Sequence, residues 1–129
     1  EDVFLTQADV REVQLAKGAM AAGIRLLAKT LGVAIGDIQQ VLIAGAFGNY
    51  MAPESACAIG LLPMELSDRI IPVGNAAGEG AKLAVLRRDQ YDLARRLMDE
   101  VDFIELAMDP DFQDIFVDQL AFCDDDEDE

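Results

Sequence analysis

The residues of this chain that can carry chemistry are glycines placed after two predicted strands. The two turns comprise Gly45, Ala46, Phe47, Gly48 and Asn49 after the apolar run 41–44, and Gly74 and Asn75 after the run 69–73. Glycine has no Cβ, so the backbone can approach a flat ligand closely at such positions. Two glycine turns at the ends of two strands predict one ligand crevice, in which Asn49 can hydrogen-bond a sugar hydroxyl or a base edge.

A purely structural interpretation stays open at both turns. Gly45 and Gly48 can simply make a tight turn, and the stretch 74–81 can be a helix start packed closely against a neighbour. Lys17, on a predicted long helix, can face a nucleotide or can be a solvated surface lysine. The residue types alone do not decide between these alternatives.

Several common catalytic sites are excluded by composition and spacing. The chain has no histidine, the commonest general base and metal ligand near neutral pH. The stretch 78–83 (GEGAKL) matches neither the phosphate-binding G-x-x-x-x-G-K-[ST] loop nor G-x-G-x-x-G. The acidic pairs Asp109/Asp111 and Glu100/Asp102 can ligate a cation, but acids of this kind more often cap helices or face solvent. We therefore predict no catalytic and no metal-ligating residue within this chain.

Length and charge define the class of protein. The 129 residues fit one domain over 1–122, followed by an acidic tail over 123–129, and the net charge is −15. Such a charge argues against nucleic-acid binding, and no apolar run is long enough for a membrane span. The only cysteines, Cys57 and Cys123, cannot hold an iron–sulfur cluster by themselves. We expect a cytoplasmic protein, and the absence of an initial methionine suggests a piece of a longer chain.

The elements that must position the turns are read from periodicity and caps. Thr6 caps a long helix predicted over 9–31, and Gly32 ends that helix. The helix has one apolar face, formed by Val10, Val13, Met20, Ile24, Leu27 and Leu31. It also has a small-residue patch, formed by Ala16, Gly18, Ala19, Ala21, Ala22 and Gly23. The patch predicts a close packing partner or a ligand. Three strands are predicted, over 41–44, 69–73 and 103–106. Four further helices are predicted. They run over 53–60, from a cap at Asn75 to residue 86, from a cap at Asp89 to residue 101, and from Asp109-Pro110 to residue 122. This alternation predicts an α/β fold, a small sheet with packed helices.

The order of these segments resembles a known family. A long small-residue helix, IAGAFGNY, IGLLP, VGNAAGEGA and DPDFQDIFVDQLAF follow one another as in the C-terminal part of the reductive activators of corrinoid proteins. Those proteins are iron–sulfur proteins with an ATPase domain of the acetate and sugar kinase, heat-shock chaperone and actin superfamily. The resemblance covers residues 3 to about 122.

The resemblance implies one lobe of an actin-like ATPase domain. It implies that residues 43–49 meet the adenosine of ATP, that 74–81 form part of the hinge between lobes, and that Gln14 and Lys17 contact the nucleotide from the long helix. The phosphate turns, the acid that holds Mg and the iron–sulfur cluster would lie in upstream segments of the parent protein. The lobe would be inactive alone, with the rest of its own chain as its first partner.

The resemblance also implies the activity of the parent. ATP binding and hydrolysis would drive the return of a cobalt(II) corrinoid to cobalt(I), with a corrinoid protein or corrinoid methyltransferase as partner. Two alternatives stay open: the C-terminal lobe of another actin-like ATPase, such as a dehydratase activator or a small-molecule kinase, and a non-catalytic acidic interaction module. The residues upstream of Glu1 would discriminate best among the three.

Overall fold

The computed structural model describes residues 3–45 and 50–122, and within them helices alternate with strands. The helices are α1 (Gln7–Leu31), α2 (Pro53–Ala58), α3 (Ala76–Leu86), α4 (Arg88–Glu100) and α5 (Phe112–Asp118), and the strands are β1 (Val41–Ala44) and β2 (Ile70–Gly74). Short 3₁₀ turns lie at Ile35–Asp37, Met64–Arg69 and Leu106–Met108. The predicted α/β class is confirmed.

The ends of α1 are fixed by the residues that predicted them. The Asp9 carboxylate accepts hydrogen bonds from the Thr6 backbone N–H at 2.8 Å and from the Thr6 hydroxyl at 2.6 Å. The Asp9 N–H in turn donates to Thr6 Oγ1, which completes a capping box. The two hydrogen bonds that the carboxylate accepts, first the one from the Thr6 hydroxyl and then the one from the Thr6 N–H, lower the pKa of Asp9. Gly32 ends the helix in a left-handed conformation with φ 66°.

The buried side of α1 includes four of the six residues of its small-residue patch, whereas Ala16 and Ala19 are exposed. The buried residues of the helix are Lys17, Gly18, Ala21, Ala22, Gly23, Leu26 and Ala28, whereas the predicted apolar face is exposed except for a half-buried Ile24. The patch has a close packing partner, as its composition predicted. A Cβ on Gly18 would lie 3.0 Å from Leu120 Cδ2 and 3.3 Å from Phe116 Cε2. A side chain at this position would therefore require Leu120 and Phe116 to shift by a few tenths of an ångström, whereas glycine leaves the close contact unstrained.

The sheet consists of two parallel strands whose register sets the position of the glycine turns. Val41 lies opposite Ile70, and Ala44 lies opposite Gly74. The register shifts beside Pro72, which has no N–H to donate to a ladder. The predicted strand over 69–73 is confirmed with a shift of one residue.

A small apolar core supports the inner face of the sheet. Ala56, Cys57 and Leu62 are buried there, against Ile24 of α1 and half-buried residues of both strands. The loop before β1 is tied to the start of β2 by Arg69, whose guanidinium donates to the carbonyl oxygens of residues 36 and 38, each at 2.6 Å. These contacts fix α1, α2 and the sheet relative to one another.

The helices α3 and α4 pack against each other and contain no buried residue. Asn75 caps α3, as predicted, because its Oδ1 accepts from the Gly78 N–H at 3.0 Å. The predicted cap of α4 at Asp89 is wrong. That helix begins at Arg88, and the Asp89 carboxylate instead accepts a hydrogen bond from the Arg87 guanidinium at 2.7 Å.

Two C-terminal predictions are also wrong. Residues 103–106 form no strand, since β1 and β2 pair only with each other in the described part of the chain. The last helix begins at Phe112 rather than at Pro110, because Asp109 Oδ1 accepts from the Asp111 N–H at 2.9 Å and closes a turn before the helix. It ends at Asp118 rather than near residue 122. Within the described residues, no helix is long and apolar enough to cross a membrane.

Candidate functional site

The two glycine turns begin side by side at the carboxyl end of the sheet. Ala44 and Gly74 are paired, so Gly45 and Asn75 both follow directly from this edge. Gly45 has φ 78° and Gly74 has φ 62°, a left-handed backbone that glycine adopts without strain. A Cβ built on Gly45 would meet no atom within 4 Å. Among the described residues, the space in front of Gly45 is therefore open to a ligand.

The remaining residues of the first turn are not described. Ala46, Phe47, Gly48 and Asn49 were predicted to line the site and lie outside the described residues. At the second turn, the Asn75 Oδ1 is used to cap α3. Its amide NH₂ is the part of the side chain that can still donate to a ligand.

Gln14 and Lys17 lie on α1, where they hold the C-terminal end of the described chain. The Gln14 Nε2 donates to the Leu120 carbonyl oxygen at 3.4 Å. The Lys17 side chain is only 2% exposed; its Nζ donates to the Ala121 carbonyl oxygen and lies 5.0 Å from the centroid of the Phe122 ring. The interpretation of Lys17 as a solvated lysine is therefore wrong.

Residues 119–122, which we call the C-terminal strap, run along one face of α1. Besides the contacts to Gln14 and Lys17, the Arg25 Nε donates to Gln119 Oε1 at 3.1 Å. At the other end of α5, Lys29 forms an ion pair with Asp111 at 2.5 Å. From Asp111 to Ala121 the chain thus runs opposite to α1, and its last described residues meet the N-terminal half of the helix.

A cavity of about 350 Å³ separates α1 from the loop after α2, and the strap closes one side of it. Its lining includes the following charged and apolar side chains: Lys17, Arg25, Glu65, Cys57 and Phe122. Burial, followed by the charge of Glu54, raises the pKa of the Cys57 thiol, whose Sγ lies 3.8 Å from the Pro63 carbonyl oxygen. This thiol stays protonated at neutral pH and is a packing residue rather than a nucleophile.

The described residues fit a flat ligand better than they fit a metal. The open space at Gly45 can accept a planar group against the backbone. In contrast, the described residues contain no group of three or more Asp, Glu, Cys or His side chains placed to hold a metal ion. Cys57 is the only cysteine among them, so they do not fit an iron–sulfur cluster.

The structure gathers the predicted site residues into two sets. Gly45, Gly74 and Asn75 meet at the sheet edge, while Gln14 and Lys17 meet the strap. Sequence reasoning missed the strap as a partner of α1. The only signal was the small-residue patch on the helix, which required a close neighbour without identifying it.

Comparison with known proteins identifies the relatives of this chain. The family described as the C-terminal domain of RACo, the ASKHA domain, matches residues 1–129. The chain is 39% identical over 124 residues to the corrinoid activation enzyme RamQ of Eubacterium limosum, covering 96% of this chain and 21% of that protein. It is 25% identical over 122 residues to the [Co(II) methylated amine-specific corrinoid protein] reductase of Methanosarcina barkeri, covering 93% of this chain and 22% of that protein.

A solved structure agrees with these relatives. The reductive activator for corrinoid, iron–sulfur protein superposes with a TM-score of 0.78 at 32% identity, over 88% of this chain and 18% of that one. The chain thus spans about a fifth of the length of the proteins it matches. The resemblance and the actin-like lobe predicted from the sequence are confirmed. Matched over its whole length and built on two parallel strands that end in adjacent glycine turns, the chain belongs to the family of C-terminal ASKHA domains of RACo.

Proposed function

We propose that this chain is the nucleotide-binding lobe of an ATP-dependent reductive activator that returns cobalt(II) in a corrinoid protein to cobalt(I). The observation that carries the proposal is the register that pairs Ala44 with Gly74. This register brings the starts of the two glycine turns to the same edge of the sheet, which supports a single crevice. The printed functions of the relatives, a corrinoid activation enzyme and a corrinoid protein reductase, support the reaction.

In this proposal the adenosine of ATP lies against the turn that starts at Gly45, where the backbone is open and no Cβ intervenes. We keep residues 46–49 in the proposed site, with Asn49 as the side chain that would bind a sugar hydroxyl or a base edge. Gly74 and Asn75 contribute the opposite side of the crevice, at the start of α3. Gln14 and Lys17 supply polar contacts from α1.

The chemistry needs groups beyond this lobe. Because the described residues fit neither a metal nor a cluster, we assign Mg, the phosphate contacts and the iron–sulfur cluster to upstream segments of a full-length protein. One electron would pass from the reduced cluster to cobalt(II), and ATP would be hydrolysed to ADP and phosphate. The partner is a corrinoid protein, with a corrinoid methyltransferase as the second candidate, and the compartment is the cytoplasm.

The test is ATP binding by the full-length protein with a branched side chain in the first turn. Gly45→Val and Gly48→Val place a Cβ where adenosine is expected, so we expect each to weaken ATP binding by at least about tenfold, measured by calorimetry. Formation of cobalt(I), followed by absorbance, should fall with it. Gly32→Val is the matched control for Gly45→Val, since Gly32 is also left-handed, with φ 66°, and its Cβ meets no atom within 4 Å. Unchanged ATP affinity in both folded valine variants contradicts the site.

A further inference from the structure

We propose that residues 101–105, which we call the connecting segment, become a β-strand in a full-length protein by pairing with a basic, extended stretch of that protein outside these 129 residues. The connecting segment joins α4 to the 3₁₀ turn at Leu106–Met108. The proposal goes beyond the proposed function, because it holds whether or not the glycine turns bind a nucleotide. It rests on the backbone of the segment, the alternation of its side chains and the charge around it.

The connecting segment has the backbone of a strand but no strand beside it. Val101 has φ −96° and ψ 118°, and Glu105 has φ −80° and ψ 91°, so both ends of the segment are extended. The N–H groups of residues 102–105 donate no hydrogen bond to a described residue. Because β1 and β2 pair only with each other in the described part of the chain, the segment has an open edge to which a strand can be added.

The side chains of the connecting segment alternate as those of a strand do. Ile104 is half-buried, and so is Leu106 two positions on, whose Cδ1 would lie 3.3 Å from a Cβ on Gly23 of α1. On the other side, Val101 is 72% exposed and Phe103 is 85% exposed. The segment therefore rests on the described chain with one side and leaves apolar side chains uncovered on the other.

The charge around the segment defines the chemistry of the missing strand. Four exposed carboxylates lie within or beside it, and none makes an ion pair or a hydrogen bond with a described residue: Asp99, Glu100, Asp102 and Glu105. Opposite charges on neighbouring strands stabilise a sheet, whereas like charges destabilise it. The added strand should therefore carry Lys or Arg beside an apolar residue that covers Phe103.

A second copy of this chain does not meet this requirement. It would bring a net charge of −15 and the same four carboxylates to the interface. The added strand comes instead from the same full-length protein. An uncovered strand edge with exposed apolar side chains is a template for aggregation, and a transient partner would leave it uncovered between encounters. Relatives about five times as long as this chain have the additional length that a permanent cover requires.

The first test is hydrogen exchange of the backbone amides in the unmodified full-length protein, with no partner added. We expect every second amide within residues 102–105, or all of them, to exchange at least about tenfold more slowly than in an unfolded peptide of the same sequence. Exchange of all four amides at the unfolded rate overturns the proposal. Protection that appears only after a corrinoid protein is added also overturns it, because the added strand then belongs to the partner.

ATP affinity of the same protein, measured by calorimetry, keeps this test separate from the proposed function. Protein that binds ATP but leaves residues 102–105 unprotected overturns the strand and leaves the proposed function standing. Protein that protects these residues but binds no ATP overturns the proposed function and supports the strand.

The second test removes the apolar side chain that the added strand would cover. In the full-length protein, Phe103→Ala should speed exchange at residues 102–105 by about two- to fivefold, because the strand loses a cross-strand contact. Val85→Ala is the matched control, since Val85 is 86% exposed but lies on α3, a regular helix. Equal exchange rates at residues 102–105 in the two variants overturn the covering of Phe103.

The third test reverses the charge of the segment. Asp102→Lys and Glu105→Lys, made singly in the full-length protein, each place a cation against the basic strand, so each should speed exchange at the neighbouring amides by about two- to fivefold. Asp37→Lys is the matched control, because Asp37 is an exposed carboxylate that pairs with no described residue. If both reversals leave exchange at residues 102–105 as it is in the control, the basic character of the added strand is overturned.

Discussion

At the scale of single residues, Thr6 and Asp9 determine where the helix that presents Gln14 and Lys17 begins. Their side chains exchange hydrogen bonds with each other's backbone N–H groups, at 3.2 Å and 2.8 Å. This cap is the first turn of the helix that carries the proposed nucleotide contacts. Its stability depends on pH, because one of its two acceptors is a carboxylate.

We expect the stabilisation from Asp9 to be lost in acid. Folding lowers the pKa of Asp9 below its ordinary value of 3.8, so the carboxylate stabilises the fold above that pH, and this contribution disappears as the pH falls through the lowered pKa. Asp9→Asn should therefore be less stable than the unmodified chain at pH 7, and the difference should vanish in strong acid. Urea unfolding measures both values.

The control for this change is Asp37→Asn, which removes a carboxylate that makes no hydrogen bond or ion pair in the described part of the chain. It should leave the free energy of unfolding nearly unchanged at both pH values. A difference between Asp9→Asn and the unmodified chain that is the same at neutral and acidic pH would show that the cap does not depend on the charge of Asp9.

At the scale of elements, the sequence predicted best where a local signal marks an end. The cap at Thr6, the left-handed Gly32 and the cap at Asn75 each involve residues within a few positions of one another, and all three are found. The predicted strand over 103–106 failed because a strand requires a neighbour, and its short apolar pattern carried no information about one.

The candidate site likewise has one part that the sequence predicts and one part that it does not. Its sheet edge could be predicted, because two strands of a parallel pair present their carboxyl ends together. The contact between Lys17 and Ala121 could not, because it joins residues 104 positions apart and depends on how α5 packs on the small residues of α1. Spacing along the chain does not encode such a contact.

Two glycines of α3 provide a prediction about this element. Gly80→Ala adds a Cβ that meets no atom within 4 Å, so we expect it to raise the free energy of unfolding by about 0.5–1 kcal/mol through helix propensity. Gly78→Ala should gain nothing, because its Cβ would lie 2.5 Å from the Asn75 amide nitrogen and would displace the cap, at a cost of about 1 kcal/mol.

Urea unfolding of the two alanine variants, beside the unmodified chain, gives the comparison directly. The two variants carry the same substitution two positions apart in one helix, so the gain in helix propensity is the same in both. The difference between their free energies of unfolding therefore reports the Asn75 cap. Equal stabilities for Gly78→Ala and Gly80→Ala would mean that the Asn75 hydrogen bond does not contribute measurably to α3.

At the scale of the whole molecule, the described chain leaves many large apolar side chains in solvent. Leu31 is 73% exposed, Met98 is 78% exposed and Phe103 is 85% exposed. Exposed apolar surface of this extent is typical of a surface that contacts another protein segment. It agrees with relatives about five times as long as this chain, in which the corresponding residues belong to a larger protein.

We expect the 129 residues alone to bind ATP at least about tenfold more weakly than a full-length protein that contains them. The reason is that the described residues offer a backbone edge and polar contacts for adenosine but no acidic group that fits a metal. Calorimetry on both proteins under the same conditions makes the comparison. Equal affinities would contradict the proposal that the phosphates are held elsewhere.

The long sequence separation between Lys17 and the strap also determines when their contact can form during synthesis. On the ribosome, residue 17 is made 104 positions before its acceptor, the Ala121 carbonyl, so its ammonium first meets only water. The loop that must close to bury it is among the largest the chain can form, and such contacts form late. The face of α1 that the strap covers therefore stays open until residues 119–122 have been made.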